Sequence, residues 1–170
     1  MFFLPSLTAT LIGAFIFVWI FLSHEIAHKL VAQRYGMWAE FRLTPIGALI
    51  TLLTIISPIK IISPGAVMIA GNANKESFGK TAIAGPLLNI GLGVVFFMLT
   101  FALEYPNPFF WVTVFSAAIN AFIAVFNLIP AGILDGLKVF HWNKLVWGIA
   151  FALSLILLIA VFAFYQRWLL

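Results

Sequence analysis

The sequence predicts a polytopic α-helical membrane protein. About four transmembrane helices are expected, with a short re-entrant or β-containing membrane-edge region between the first and the second. Three observations predict this class. Of the 170 residues, 64% are hydrophobic and 8% charged, whereas a water-soluble domain carries about 25% charged residues. Several uncharged runs approach or exceed the roughly 20 residues that a helix needs to cross a bilayer. The nine Lys and Arg fall mainly in three loops, 29–42, 75–80 and 138–144.

The length suits a single domain, 1–170. The formal charge of +4 comes without a basic stripe, which excludes a nucleic-acid partner and leaves the charges to set membrane orientation. The absence of cysteine excludes disulfides and thiolate metal sites. No internal repeat or low-complexity tract is present.

The first span runs over 7–35. It is purely apolar at first and amphipathic from His24 through Lys29 and Arg34, and Gly36 is a natural stop. Met1 to Leu22 lacks a basic n-region and leads straight into His24-Glu25, so a cleaved signal peptide is not expected. Ala39 to Thr44 alternates apolar and polar residues, a strand pattern. Leu43 to Ile56 is uncharged but only 14 residues long, short for a span. Pro58 and Pro64-Gly65 break the chain, and Val67 to Ile69 forms a second candidate strand. The re-entrant or β region is therefore placed at 39–70, followed by a polar loop over 71–80. The second span, 81–103, is entered through Ala84-Gly85-Pro86. A turn at 104–108 leads to the third span, 109–128. Pro130 and Gly132 break that helix and open a loop, 129–141, that contains Asp135. The last span, 145–164, is closed by Tyr165, Arg167 and Trp168 as interfacial anchors.

The positive-inside rule puts the three basic loops in the cytoplasm and 104–108 outside. Loops 29–42 and 75–80 can share a side only if segment 43–71 does not cross, and Lys60 must then lie near a surface or snorkel. Two spans later the chain returns to the cytoplasmic end of the first helix, which brings Asp135 to the depth of His24 and His28.

His24-Glu25-Ile26-Ala27-His28 carries the chemistry. Residues i and i+4 share a helix face, so His24 and His28 can hold one metal ion between them. Glu25 sits about 100° round the helix, placed to act as general base. A catalytic zinc keeps three protein ligands and one open position. Without cysteine, the third must be His, Asp or Glu. Asp135 is preferred for its depth and its broken-helix setting, against a plain helix-capping role. His141, in the basic loop beside Trp142, is the rival ligand. Glu40, Glu76 and Glu104 read as solvated loop acids, and Asn120 as a hydrogen bond between helices. The candidate ligands converge at one depth, which argues against a metal transporter.

The motif His24-Glu25-Ile26-Ala27-His28 is followed by Ala84-Gly85-Pro86-Leu87-Leu88-Asn89, then by Asn127-Leu128-Ile129-Pro130 and Asp135-Gly136. In order and spacing this resembles the site-2 protease family of intramembrane zinc metalloproteases, over roughly residues 10 to 142. The resemblance implies that His24, His28 and Asp135 bind Zn2+ and that Glu25 is the catalytic base. It also implies that Asn89 and Asn127 position substrate or its oxyanion, and that the β region seats an extended substrate strand. The implied function is an intramembrane zinc metalloendopeptidase of regulated intramembrane proteolysis, cutting membrane proteins within or next to their transmembrane segments. The implied partners are a transmembrane substrate and the lipid bilayer. The implied location is the cell membrane, with the active site towards the cytoplasm. The alternative is a non-catalytic pseudoprotease that binds membrane clients or metal, a role that would not need Glu25. Gly132 and Ile133 depart from the family, which often has prolines before Leu-Asp-Gly.

Overall fold

The structure, a computed structural model, describes residues 7–43, 65–71, 74–103, 105 and 107–168. The elements are α1 (Leu7–Arg34), β1 (Trp38–Leu43), β2 (Gly65–Ala70), α2 (Lys75–Ala102), α3 (Pro108–Asn127), α4 (Asp135–Trp142) and α5 (Lys144–Arg167). Four of these, α1, α2, α3 and α5, are long and apolar enough to cross a membrane.

Each boundary has a local cause. α1 ends where Gly36 takes a φ of 72°. Met37 N–H then bonds back to Ala32 O and Gly36 N–H to Gln33 O, the Schellman closure that a glycine permits. α2 starts at Lys75, six residues before the expected span. The Asn74 side chain accepts from Ser77 N–H at 2.7 Å, and this cap draws the polar stretch 75–80 into the helix. The loop expected over 129–141 is largely replaced by α4. The physical reason is a buried face at Asp135, Gly136 and Val139, with His141 turned outward, a helical rather than loop pattern.

β1 and β2 pair antiparallel, with Ala39 opposite Ile69, Phe41 opposite Val67 and Leu43 opposite Gly65. The run after Leu43, with Pro58, Lys60 and Pro64, lies outside the described residues, as do Glu104 and Pro106. One face of the ribbon covers the end of α1, where Ala32, Met37 and Ala39 are buried against Val67 and Ile69.

α2 is the hub and touches α1, α3, α4 and α5. Small residues let the helices close: Ala117, Ala121 and Ala124 of α3 are fully buried. Gly93 of α2 helps the same closure, since a Cβ there would press on Leu157 Cδ2 at 2.8 Å and Asn120 Cβ at 3.3 Å. Buried polar groups line the interior, among them Asn89, Thr100, Thr113, Ser116, Asn120 and Ser154. Large apolar side chains such as Phe15, Trp19, Met98, Phe122 and Phe162 face outward. Polar inside and apolar outside is the arrangement of a helical membrane protein.

Candidate metal centre

His24 and His28 stand one turn apart on α1, and Asp135 opens α4. These three side chains converge and are buried. His28 Nε2 lies 3.0 Å from His24 Nε2 and 2.9 Å from Asp135 Oδ2, and His24 Nε2 lies 3.4 Å from the same oxygen. Donor atoms about 2.0–2.1 Å from a tetrahedral zinc stand about 3.3 Å apart, so the three atoms are spaced as a set of ligands would be.

The rest of each side chain is committed elsewhere. His28 Nδ1 is 2.7 Å from the Thr81 carbonyl, which can only accept, so Nδ1 carries the proton. His24 Nδ1 is hydrogen-bonded to Asn89 Oδ1. Both Nε2 lone pairs therefore point at each other and at a carboxylate. Three such atoms converging in so dry a place could hold a cation, and imidazole with carboxylate suits a divalent metal of the zinc type. Lys138 Nζ holds the other carboxylate oxygen, Asp135 Oδ1, at 2.9 Å. The Lys138 ammonium beside it favours the charged form of the Asp135 carboxyl.

The backbone makes room for this cluster at two glycines. A Cβ on Gly85 would come within 2.5 Å of His28 Nε2 and 2.6 Å of His24 Nε2. α2 thus passes directly over the metal position. A Cβ on Gly136 would overlap Leu128 O. The turn after α3 is packed onto the start of α4 and fixes Asp135 in depth, while Trp147 Nε1 donates to the same Leu128 carbonyl from α5.

Glu25 is half-buried and stands apart from the three ligands. Its Oε2 accepts the Val67 N–H of β2 at 2.9 Å. It borders a pocket of about 210 Å³ lined by Leu22, Glu25, Ile26, Lys29, Phe41 and Val67. Asn89 is fully buried: besides its bond to His24, its Nδ2 donates to Asn120 Oδ1 at 2.8 Å. The structure thus employs Asn89 on a ligand, not on an open substrate surface. Asn127 donates to Ile123 O of its own helix and is not part of the cluster. His141 is exposed, with its ring beside Phe140, and is no ligand here. The contributions of Gly85, Lys138 and the Thr81 carbonyl have no signature in spacing. The Ala84-Gly85-Pro86 run hints at Gly85 only as a turn.

Fold and site together define a multi-pass helical membrane protein with a buried His-His-Asp metal centre. Comparison with known proteins adds the family. The chain is 39% identical over 131 residues to a protein of Methanocaldococcus jannaschii provisionally named zinc metalloprotease MJ0611, covering 76% of this chain and 69% of that one. It is 25% identical over 136 residues to zinc metalloprotease MJ0392 of the same organism. It is 28% identical over 140 residues to the provisionally named zinc metalloprotease Rip3 of Mycobacterium tuberculosis. Of these last two it spans 35% and 31% of the length. No family model and no solved structure matches. The chain belongs to this zinc metalloprotease family.

Proposed function

We propose that the protein is an intramembrane zinc metalloendopeptidase of the site-2 protease type. It cleaves peptide bonds within or next to transmembrane segments of membrane proteins, in the cell membrane and from the cytoplasmic side. The observation that carries the proposal is the burial of His24, His28 and Asp135 together at the end of an apolar helix, with Glu25 one residue along.

Zinc held by those three residues would supply Lewis-acid polarisation of the scissile carbonyl and a more acidic water. The chain does the rest. Glu25 takes a proton from the attacking water and later delivers it to the leaving amine. A substrate segment, unwound from its helix, lies along the outer edge of β2 and adds as a further strand, so that its backbone is satisfied while it is cut. The pocket beside Glu25, walled by Phe41 and Val67, receives a side chain of that segment. The Val67 amide now bonded to Glu25 lies on that edge, so substrate binding and release of the base are coupled.

The test is cleavage of a reporter transmembrane substrate in detergent or liposomes. Glu25→Gln is expected to lower cleavage by about 10²–10⁴-fold with zinc content unchanged. Asp135→Ala is expected to lose both. Cleavage persisting in Glu25→Gln would remove Glu25 as the base, and a zinc-loaded wild type that cleaves nothing would turn the reading over to the non-catalytic client binder.

A further inference from the structure

A chain of buried amides reaches His24 from the far side of the bundle. Asn120 Nδ2 donates to Ser116 O at 2.9 Å. Asn89 Nδ2 donates to Asn120 Oδ1, and His24 Nδ1 faces Asn89 Oδ1. His24, Asn89 and Asn120 are at most 2% exposed. The sense of this chain is fixed at one end only. Ser116 O is a backbone carbonyl and can only accept. Asn120 must therefore turn its NH2 to Ser116 and its oxygen to Asn89. Asn89 must then turn its NH2 to Asn120 and its oxygen to His24, and His24 must carry its proton on Nδ1. Its Nε2 is left as a lone pair facing His28 and Asp135.

From this we infer that Asn120, about two helices removed from the metal, is a positioning residue that sets the tautomer and ring orientation of His24 through Asn89. Resting on the zinc-protease reading, this assigns to a carbonyl on α3 the choice of which imidazole nitrogen faces the metal. Gly93 lies against the device, since a Cβ there would stand 3.3 Å from Asn120 Cβ, a tight contact. The bland role for a buried asparagine, a weak bond between two helices, does not require a direction; the tautomer role does.

Two substitutions at one position separate the roles. Asn120→Leu keeps the volume and removes the polarity. Asn120→Asp, protonated in so buried a place, donates to Ser116 O and accepts from Asn89, and so preserves the sense of the chain. Zinc affinity is measured by chelator competition on the detergent-purified full chain. The His24 ring is followed by ¹⁵N NMR in zinc-free protein, where three histidines keep the spectrum simple. Asn120→Leu is expected to weaken zinc binding by about 10–100-fold and to move the His24 proton partly to Nε2. Asn120→Asp is expected to stay within a few-fold of wild type, with the proton on Nδ1. Leu binding zinc as well as Asn, or Asp failing as badly as Leu, would overturn the inference and leave a packing role. Zinc failing to bind wild type would overturn the protease reading itself, a distinguishable result. Should the Leu variant not fold, the Asp variant still decides: loss of affinity with a native melt would sink the tautomer role.

Discussion

At the scale of single residues, the centre depends on groups that are absent as much as on those present. Gly85 is the sharpest case, because its α-carbon faces the two Nε2 atoms with no side chain between. Gly85→Ala is expected to occupy the metal position, so that zinc falls well below one per chain by elemental analysis while the helical circular dichroism signal is kept. The two histidines were legible in the sequence because a spacing of four on a helix is a statement about one face. Asp135 was legible by counting crossings, since two spans return the chain to the depth at which it left. Asn120 was legible only as a buried polar group. Which neighbour it meets depends on how α2 and α3 rotate against each other, and helices that are apolar on every side carry no periodic mark of that rotation. The bond between Glu25 and Val67 was hidden for a similar reason, as it joins a helix to a strand 42 residues on.

At the scale of elements, the junction between α3 and α4 decides whether the third ligand arrives. Its tightest point is Gly136 against the Leu128 carbonyl. Gly136→Ala forces backbone against backbone and is expected to cost about 1–3 kcal/mol, typical of overpacking, and to weaken zinc binding with it. Gly148→Ala in α5, where an added Cβ meets nothing within 4 Å, serves as the neutral control in the same melting and chelation series. The strands were legible from alternation, Ala39 inward and Glu40 outward, whereas α4 was not. Eight residues after a Pro-Gly break look like loop until the buried face at Gly136 and Val139 is known. The early start of α2 was missed because a capping asparagine outweighs the polarity of the six residues after it.

At the scale of the whole molecule, the orientation proposed from charge can be checked cleanly, because the chain has no cysteine of its own. Single cysteines at Arg42 and Lys144 are expected to react with an impermeant thiol reagent from the cytoplasmic face only, and one at Tyr105 from the opposite face. Labelling of Arg42→Cys and Lys144→Cys from different faces would break the topology that lets His24 and Asp135 share a depth. One further property follows from how the ligands are distributed. His24 and Asp135 are 111 residues apart in the chain, and the apolar stretch of α1 is only 17% buried against the rest, compared with 50% for α3. An ion held there would also be a rivet, fastening a helix with much uncovered surface to the body of the protein. A ligand bound only by the folded state adds stability as its concentration rises, about 2.7 kcal/mol at a hundred times its dissociation constant. Chelation is therefore expected to loosen the molecule unevenly. Amide exchange should quicken first along 24–34, while 109–127 stays protected, and α1 should be the first helix to part from the bundle.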